Sequence, residues 1–327
     1  MNAGDVLKRA GVVTGVAAGV VGAAYGAERA VVARMRHAED PDAGSSLLPE
    51  FDDELDIPSH DGGTLHVISR GEGPPIMFAH GVTLSSRVWA KQFRSIPDAG
   101  FRAIAFDARG HGASKLGDTG HSVDNLADDV RTVLDALDLK DALLVGHSMG
   151  GMALQAFAIR HPHIAHERAG GLVLMSTAAT MPMSDARRVR GALDRVVGAA
   201  PDVGILIRQR NLGFLLARVG FGEDPHPSHV EATREMLAAC SRQTLREASR
   251  SLLSLDLTAG LPTVTLPTLV LAGAKDAIIP LHDSREIAEL VPGARFEEFP
   301  GAGHMLMYER ADEVDKLIVE FARECRV

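Results

Sequence analysis

Gly146-His147-Ser148-Met149-Gly150 follows the apolar run 142–145, Ala-Leu-Leu-Val, and precedes a helix-like run over 151–160. An apolar run of this length predicts a buried strand. The pentapeptide then reads G-x-S-x-G at a sharp turn from strand to helix, a setting that lifts the serine into a cleft. Glycine is required at both ends because a side chain there would press on the neighbouring strand or helix. The stretch therefore predicts an α/β sheet that presents Ser148 as a nucleophile, against the alternative of a glycine-rich turn with a solvated serine.

A serine needs a base to become a nucleophile, and the base needs an acid to orient it. The run 269–273, Leu-Val-Leu-Ala-Gly, predicts a buried strand, and Asp276 follows its carboxyl end. Open α/β sheets place their ligands at that end of the strands. His304 lies in a glycine-rich loop after the strand-like run 296–299. We therefore predict that Ser148, Asp276 and His304 form a catalytic triad.

With these motifs the chain resembles the serine members of the α/β-hydrolase superfamily, in the esterase, lipase and cofactor-free haloperoxidase-like branch. The order Ser, Asp, His along the chain is typical of that superfamily. The resemblance covers roughly residues 50–325. Its motifs are His80-Gly81, Asp107-x-Arg109-Gly110-x-Gly112-x-Ser114, Gly146-x-Ser148-x-Gly150, Asp276 and His304. It implies a mostly parallel, doubly wound sheet with a helical cap inserted after strand 6.

The resemblance also assigns the surroundings of the serine. The strand-like run 76–79 ends in His80-Gly81-Val82, and the loop after this strand supplies an oxyanion-hole N–H in the family. We assign that N–H to Val82 and the other one to Met149. His80, Gly81 and His147 are predicted to contact substrate, together with cap residues that the sequence does not identify. The segment 107–114 is interpreted as a structural turn, and no metal or organic cofactor is implied.

Strand-like and helix-like patterns alternate along the chain, as a mostly parallel sheet with helices on both faces requires. The runs that predict strands are 64–69, 74–79, 102–107, 141–147, 170–176, 268–273 and 294–299. The runs that predict helices are 85–96, 122–138, 149–161, 280–291 and 306–325. The opening around 51–69 resembles the antiparallel first hairpin of the family. The hydrolase core is therefore predicted over 51–177 and 267–327.

The alternation stops over 178–266, which we predict to be the cap. Its pattern is helical, with candidate helices at 184–199, 203–221, 228–239 and 244–255. A cap shapes the pocket and excludes water from part of it. The apolar bias of this stretch favours a substrate with a hydrophobic portion.

Composition excludes other classes of protein. The formal net charge is −9 and no basic patch dominates, so general nucleic-acid binding is disfavoured. Cys240 and Cys325 have no metal-ligand spacing and are interpreted as lone thiols. Hydrophobic residues make up 46% of the 327 residues, which is enough for a large core.

Residues 1–37 are predicted as an apolar N-terminal helix, of which 10–27 are uncharged and rich in glycine. This stretch meets the lower length limit of a membrane span. A membrane anchor, a cleaved signal peptide and a surface helix all fit it, and we favour the anchor, hence a membrane-associated protein rather than a secreted or cytoplasmic one. Residues 38–50 look like a polar linker.

The favoured activity is hydrolysis of a carboxylic ester with an apolar acyl or alcohol part, on a small-molecule substrate. Related enzymes that attack through an aspartate, the epoxide hydrolases and haloalkane dehalogenases, are disfavoured because Ser148 stands at that position. Haloperoxidase-like or perhydrolase-like chemistry stays open, although Val82 replaces the aromatic residue usual after His-Gly. Carbon–carbon bond hydrolysis also stays open, with Arg109, Arg187 and Arg190 as candidates to bind a carboxylate. A ligand-binding receptor on this scaffold is the alternative from a different class.

Overall fold

The computed structural model describes residues 29–180, 207–325 and 327. The strands are β1 (Asp53–Pro58), β2 (Thr64–Arg70), β3 (Pro75–Ala79), β4 (Arg102–Phe106), β5 (Ala142–His147), β6 (Ala169–Met175), β7 (Thr268–Gly273) and β8 (Arg295–Phe299). They form a single sheet in the order β1-β2-β4-β3-β5-β6-β7-β8. Apart from β1, which lies in the predicted opening hairpin, each strand begins and ends within one residue of its predicted run.

The direction of the strands confirms the predicted fold class. β1 pairs with β2, and β2 with β4, in antiparallel orientation, whereas all the other neighbouring strands are parallel. β5 and β7 are buried along their whole length. Burial on both faces explains why these strands read as nearly continuous apolar runs. The carboxyl ends of the parallel strands meet at one edge, where the predicted site residues lie.

Helices cover both faces of the sheet. They are α1 (Gln92–Asp98), α2 (Val123–Ala136), α3 (Met149–Arg160), α4 (Pro162–Arg168), α5 (Arg210–Arg218), α6 (Pro227–Ala239), α7 (Arg242–Leu252), α8 (Leu281–Leu290), α9 (Leu306–Glu309) and α10 (Ala311–Glu324). α2 and α3 pack on one face, whereas α1 and α10 pack on the other. Buried side chains of β5 alternate between the two resulting cores, with Leu144 in one and Leu143 and Val145 in the other.

The predicted helix at 306–325 is two helices. α9 ends at Glu309 and α10 begins at Ala311, because Arg310 between them leaves the helical region with φ −136° and ψ 40°. The side chain of Glu309 turns back to accept the N–H groups of Gly303 and Met305 in the loop before α9. Apolar periodicity alone does not reveal such a break, because both helices bury one face in the same core.

α5, α6 and α7 lie between β6 and β7, in the stretch predicted as the cap. α6 and α7 agree with the predicted helices at 228–239 and 244–255. Of the predicted helix at 203–221 the described residues form α5, and the predicted helix at 184–199 lies outside the described residues. Phe214 and Phe221 are buried against the core, whereas Leu216 and Val219 are exposed.

Residues 29–50, the N-terminal segment, pack on the cap. Residues 29–36 are helical, and Val32 is only 1% exposed. Arg36 lies over the ring of Phe214 and pairs with Glu231 of α6 at 3.3 Å. The part from 38 to 50, predicted as a polar linker, is therefore held against the fold at both of its ends, since Leu47 is also buried.

None of the helices that the structure describes is long and apolar enough to cross a membrane. The predicted anchor at 10–27 lies outside the described residues. Cys240 and Cys325 are free thiols, as predicted.

Candidate active site

Ser148 stands at the turn between β5 and α3. Its backbone has φ 53° and ψ −116°, a conformation that costs free energy in any residue other than glycine. Hydrogen bonds hold it there: the Ser148 N–H donates to the carbonyl of Met175 at 3.0 Å, and the Thr177 hydroxyl donates to the Ser148 carbonyl at 2.7 Å. The strained turn places the serine side chain beyond the end of the sheet instead of within the helix.

The two glycines of the turn are required for the reason that the sequence predicts. A Cβ on Gly150 would lie 2.1 Å from the carbonyl oxygen of Ala79, at the end of β3. A Cβ on Gly146 would lie 2.7 Å from the carbonyl of Gly150. Both distances are shorter than any real carbon contact, so side chains at these positions would force β5, α3 and β3 apart.

Asp276 and His304 meet at the same edge of the sheet. The His304 Nδ1–H donates to Asp276 Oδ2 at 2.8 Å, and the two side chains are 6% and 2% exposed. The other carboxylate oxygen of Asp276 accepts the backbone N–H groups of Ile278 and Ile279 at 2.8 Å each. With Nδ1 engaged in this way, the neutral imidazole of His304 has its lone pair on Nε2, as a general base requires.

His147 links the serine turn to the histidine loop. Its Nε2–H donates to the His304 carbonyl at 2.9 Å, and the two rings lie 4.6 Å apart. Burial, and then the neighbouring His304, lower the pKa of His147 well below its usual value, so the ring is neutral. His147 is fully buried, and these contacts position His304. Its predicted contact with substrate stays a prediction.

The loop after β3 touches the serine directly. A Cβ on Gly81 would lie 3.1 Å from Ser148 Cβ and 2.9 Å from His147 Nδ1, so the loop passes close to the serine turn. His80 is 1% exposed, its Nδ1–H donates to the Gly81 carbonyl, and its Nε2 accepts the N–H of Ala108. Burial lowers the pKa of His80, which keeps this neutral form. Both nitrogens of His80 are thus used to hold the loop.

The segment 107–114 forms the structural turn that the sequence indicates. The Asp107 carboxylate accepts the N–H groups of Ser86 and Ala113, at 2.7 and 2.8 Å. Arg109 is buried and makes a two-pronged ion pair with Asp129, both distances being 2.7 Å. Its third nitrogen binds Asp61 at 2.9 Å.

A family model described as the alpha/beta hydrolase fold matches residues 74–311. The chain belongs to the α/β-hydrolase family. The match spans most of the chain and includes every residue of the predicted triad and oxyanion hole.

Relatives of this α/β hydrolase include proteins named as haloperoxidases and proteins named as esterases. The chain is 31% identical over 256 residues to a non-heme chloroperoxidase from Kitasatospora aureofaciens, a match covering 75% of this chain and 90% of that one. It is 30% identical over 271 residues to a non-heme haloperoxidase from Rhodococcus erythropolis, covering 81% and 98%. Among solved structures, a thermophilic esterase from Thermogutta terrifontis has a TM-score of 0.71 at 27% identity, covering 84% of this chain and all of that one.

The sequence did not single out Glu309 of the hydrolase, which organises the loop around His304. Its carboxylate accepts the backbone N–H groups of Gly222 at 2.6 Å, Gly303 at 3.0 Å and Met305 at 3.1 Å. Burial raises the pKa of Glu309, although these three N–H groups oppose the shift. Gly222 belongs to the cap stretch, so one carboxylate ties the cap to the loop that holds His304. No local motif marks such a residue, since one of its partners, Gly222, lies 87 residues away.

Proposed function

We propose that this α/β hydrolase cleaves carboxylic esters through an acyl-enzyme formed on Ser148. The observation that carries the proposal is the 2.8 Å hydrogen bond between His304 and Asp276, in a loop that His147 joins to the strained turn of Ser148. A carboxylate bound to Nδ1 fixes the tautomer of the imidazole and stabilises its charged form. That is the arrangement a serine needs to act as a nucleophile near neutral pH.

The proposed reaction has two halves. Ser148 Oγ attacks the acyl carbon while His304 Nε2 takes its proton, and the tetrahedral intermediate collapses as the imidazolium protonates the leaving alcohol. Water then attacks the acyl-enzyme, His304 takes its proton, and the carboxylic acid leaves as the proton returns to Ser148 Oγ. Asp276 stays ionised throughout.

The N–H groups of Val82 and Met149 are proposed to bind the oxyanion. Met149 is the first residue of α3, so its N–H has no acceptor inside its own helix, and the helix N-terminus adds a partial positive charge. Val82 follows Gly81, whose backbone packs on Ser148. Loss of one such donor costs about 3–4 kcal/mol of transition-state stabilisation.

Perhydrolysis is a second candidate, supported by the two relatives named as haloperoxidases. The same acyl-enzyme would be attacked by hydrogen peroxide instead of water, which releases a peracid and restores the Ser148 hydroxyl. This candidate needs no residue beyond those named above. Perhydrolysis differs from ester hydrolysis only in the molecule that accepts the acyl group, hydrogen peroxide or water. The same variant, Ser148→Ala, is therefore its control.

Carbon–carbon bond hydrolysis receives less support from the site. Arg109, a candidate to bind a substrate carboxylate, is buried and already paired with Asp129 and Asp61. Releasing it would leave buried carboxylates without a partner, which is strongly unfavourable. Arg187 and Arg190 lie outside the described residues.

The test is a series of p-nitrophenyl esters from acetate to palmitate, measured on the full chain and on Ser148→Ala. The full chain is used because residues 29–50 pack on the cap. Turnover that disappears in a folded Ser148→Ala variant is the expected result, with the optimum at a medium or long acyl chain. Added hydrogen peroxide with a carboxylic acid separates the second candidate by peracid formation. Equal turnover by both proteins, or none on any ester, would contradict the proposal.

We also retain, as a proposal from sequence, that residues 10–27 attach the hydrolase to a membrane. The support is the uncharged stretch itself. Sedimentation with lipid vesicles tests it, by comparing the full chain with a variant lacking residues 1–28. Equal recovery of the two proteins in the supernatant would reject it.

A further inference from the structure

Two histidines at the start of α6 meet an aspartate of the N-terminal segment. His229 Nε2 lies 2.8 Å, and His226 Nδ1 3.4 Å, from the same oxygen of Asp42. Within the described residues, these three side chains form a group of potential metal ligands whose donor atoms all lie within 4.8 Å of one another. Neither the ester chemistry nor the family resemblance uses it.

The spacing of these atoms is close to that of a metal site. Zinc bonds to nitrogen and oxygen are about 2.0–2.2 Å long, which puts neighbouring ligand atoms about 3.3 Å apart in a tetrahedron. The separations of 2.8 and 3.4 Å bracket this value. His226 is the N-cap residue of α6 and His229 lies in its first turn, and the centroids of their rings are 4.8 Å apart.

Burial and neighbouring charges act on two members of the cluster, Asp42 and His229. Burial alone would raise the pKa of Asp42, but the hydrogen bonds and charges of Lys91 and His229 outweigh it and lower the pKa to about 2. Burial, followed by the charge of Lys91, lowers the pKa of His229 to about 4.

A cation already occupies the space beside Asp42. The Lys91 ammonium lies 2.8 Å from the oxygen that both histidines approach. Lys91 sits on a flexible stem and its side chain is 22% exposed, so it can turn out to solvent. Asp40 lies 4.0 Å from His226 Nδ1 and binds Ser228, and the ring of Tyr308 stacks on His229 at 4.8 Å. His229 is thus buried against Tyr308, whereas the Lys91 side chain is partly exposed.

We propose that Asp42, His226 and His229 bind a divalent transition-metal ion of the zinc type, in the place of the Lys91 ammonium. Two imidazoles and one carboxylate suit Zn²⁺ or Ni²⁺, whereas Mg²⁺ and Ca²⁺ prefer sites made of oxygen ligands. The ion joins the N-terminal segment to α6 and has no part in the reaction at Ser148. Bound metal therefore raises the thermal stability of the protein and leaves ester turnover unchanged.

Isothermal titration of the metal-free full chain with Zn²⁺ tests the site, with Mg²⁺ as the contrasting ion. We expect a single Zn²⁺ per chain, and affinity lower by at least about tenfold in Asp42→Asn, His226→Gln and His229→Gln, because loss even of a group that orients a ligand costs that much. Lys91→Met removes the competing cation and should increase the affinity. The side chain of His226 is partly exposed, so His226→Gln should fold. It keeps the test valid if His229→Gln, a change at a buried position, fails to fold.

His282→Gln is the matched control, because His282 is 77% exposed and also lies beside an aspartate, Asp283. Its Zn²⁺ affinity should equal that of the wild type. The proposal is overturned if the wild type binds no Zn²⁺ above the level of His226→Gln, or if the three ligand variants bind as the wild type does. It is also overturned if Lys91→Met leaves the affinity unchanged, since the ammonium would then not be in the metal position.

Discussion

His147 is the side chain through which the serine turn positions the His304 loop. Its Nε2–H satisfies the buried His304 carbonyl at 2.9 Å, and its ring packs on that of His304. His147→Phe keeps the ring but removes the donor. A buried carbonyl left without a donor costs about 1–3 kcal/mol. We expect kcat to fall by roughly tenfold or more, with KM little changed, because His304 shifts relative to Ser148.

Steady-state kinetics on a p-nitrophenyl ester checks this expectation. His111→Phe is the matched control: His111 is also buried, and its ring packs against His80 and His121 rather than His304. A loss of kcat of the same size in both variants would mean that any buried histidine-to-phenylalanine change disturbs the site. An unchanged kcat in His147→Phe would mean that the hydrogen bond to the His304 carbonyl does not position the base.

At the scale of elements, α9 is anchored by Glu309 rather than by its own length. Glu309→Gln leaves one oxygen and an NH₂ group facing the N–H groups of Gly222, Gly303 and Met305. At least one buried donor then loses its acceptor, at a cost of about 1–3 kcal/mol. We expect a lower free energy of unfolding in urea and a lower kcat, since both the cap and the His304 loop depend on this carboxylate.

The control for Glu309→Gln is Glu313→Gln on α10. The Glu313 side chain is 67% exposed and faces Arg310 at 3.6 Å. Exposed ion pairs contribute little to stability, so this variant should match the wild type in both measurements. If Glu309→Gln also matches the wild type, the carboxylate is not what fixes α9.

The contact between α1 and α10 should depend on pH. Burial raises the pKa of Asp315 to about 6, from 3.8, although hydrogen bonds from Ser95 and Gln92 oppose the shift. A carboxyl whose pKa is raised on folding stabilises the native state below its unfolded pKa, and this contribution is lost as the pH rises through the folded pKa. Asp315→Asn cannot ionise. We therefore expect the wild type to lose about 2 kcal/mol relative to the variant between about pH 4 and pH 7.

Urea unfolding of both proteins across that range measures the difference directly. Other titrating groups are common to both proteins, so they cancel in the comparison. Two curves that stay parallel from about pH 4 to pH 7 would show that Asp315 titrates alike in the folded and unfolded chains.

For the molecule as a whole, local patterns could predict the sheet and the positions of Ser148, Asp276 and His304. Each of these residues follows a strand-like run and has a glycine within three residues, so short-range sequence carries its placement. Glu309 and the cluster around Asp42 could not be found in this way. Gly222 lies 87 residues from Glu309, and His229 lies 187 residues from Asp42, so only the folded chain brings these partners together.

Contacts between residues that are distant in sequence also explain why the segment predicted as a linker is held against the fold. Residues 38–50 are polar and rich in turn-forming residues, which is typical of a linker. In the structure Asp40 accepts the Ser228 N–H at 2.7 Å and so supplies the cap at the N-terminus of α6 that the local sequence lacks. A polar side chain of this segment thus binds the end of a distant helix. Composition alone does not distinguish such a side chain from one that is solvated.

Removal of the N-terminal segment should therefore destabilise the whole molecule. A chain lacking residues 1–45 loses the buried Val32, the helix-capping Asp40 and the contacts of Arg36 with α5 and α6. Burial of one valine side chain and one helix cap contribute about 1–2 kcal/mol each. For a domain of this size we expect Tm to fall by roughly 5–10 °C. The control lacks only residues 1–28 and keeps all of these contacts, so the measured quantity is the difference in Tm between the two truncated proteins. Equal Tm values would mean that the segment rests on the cap without stabilising it.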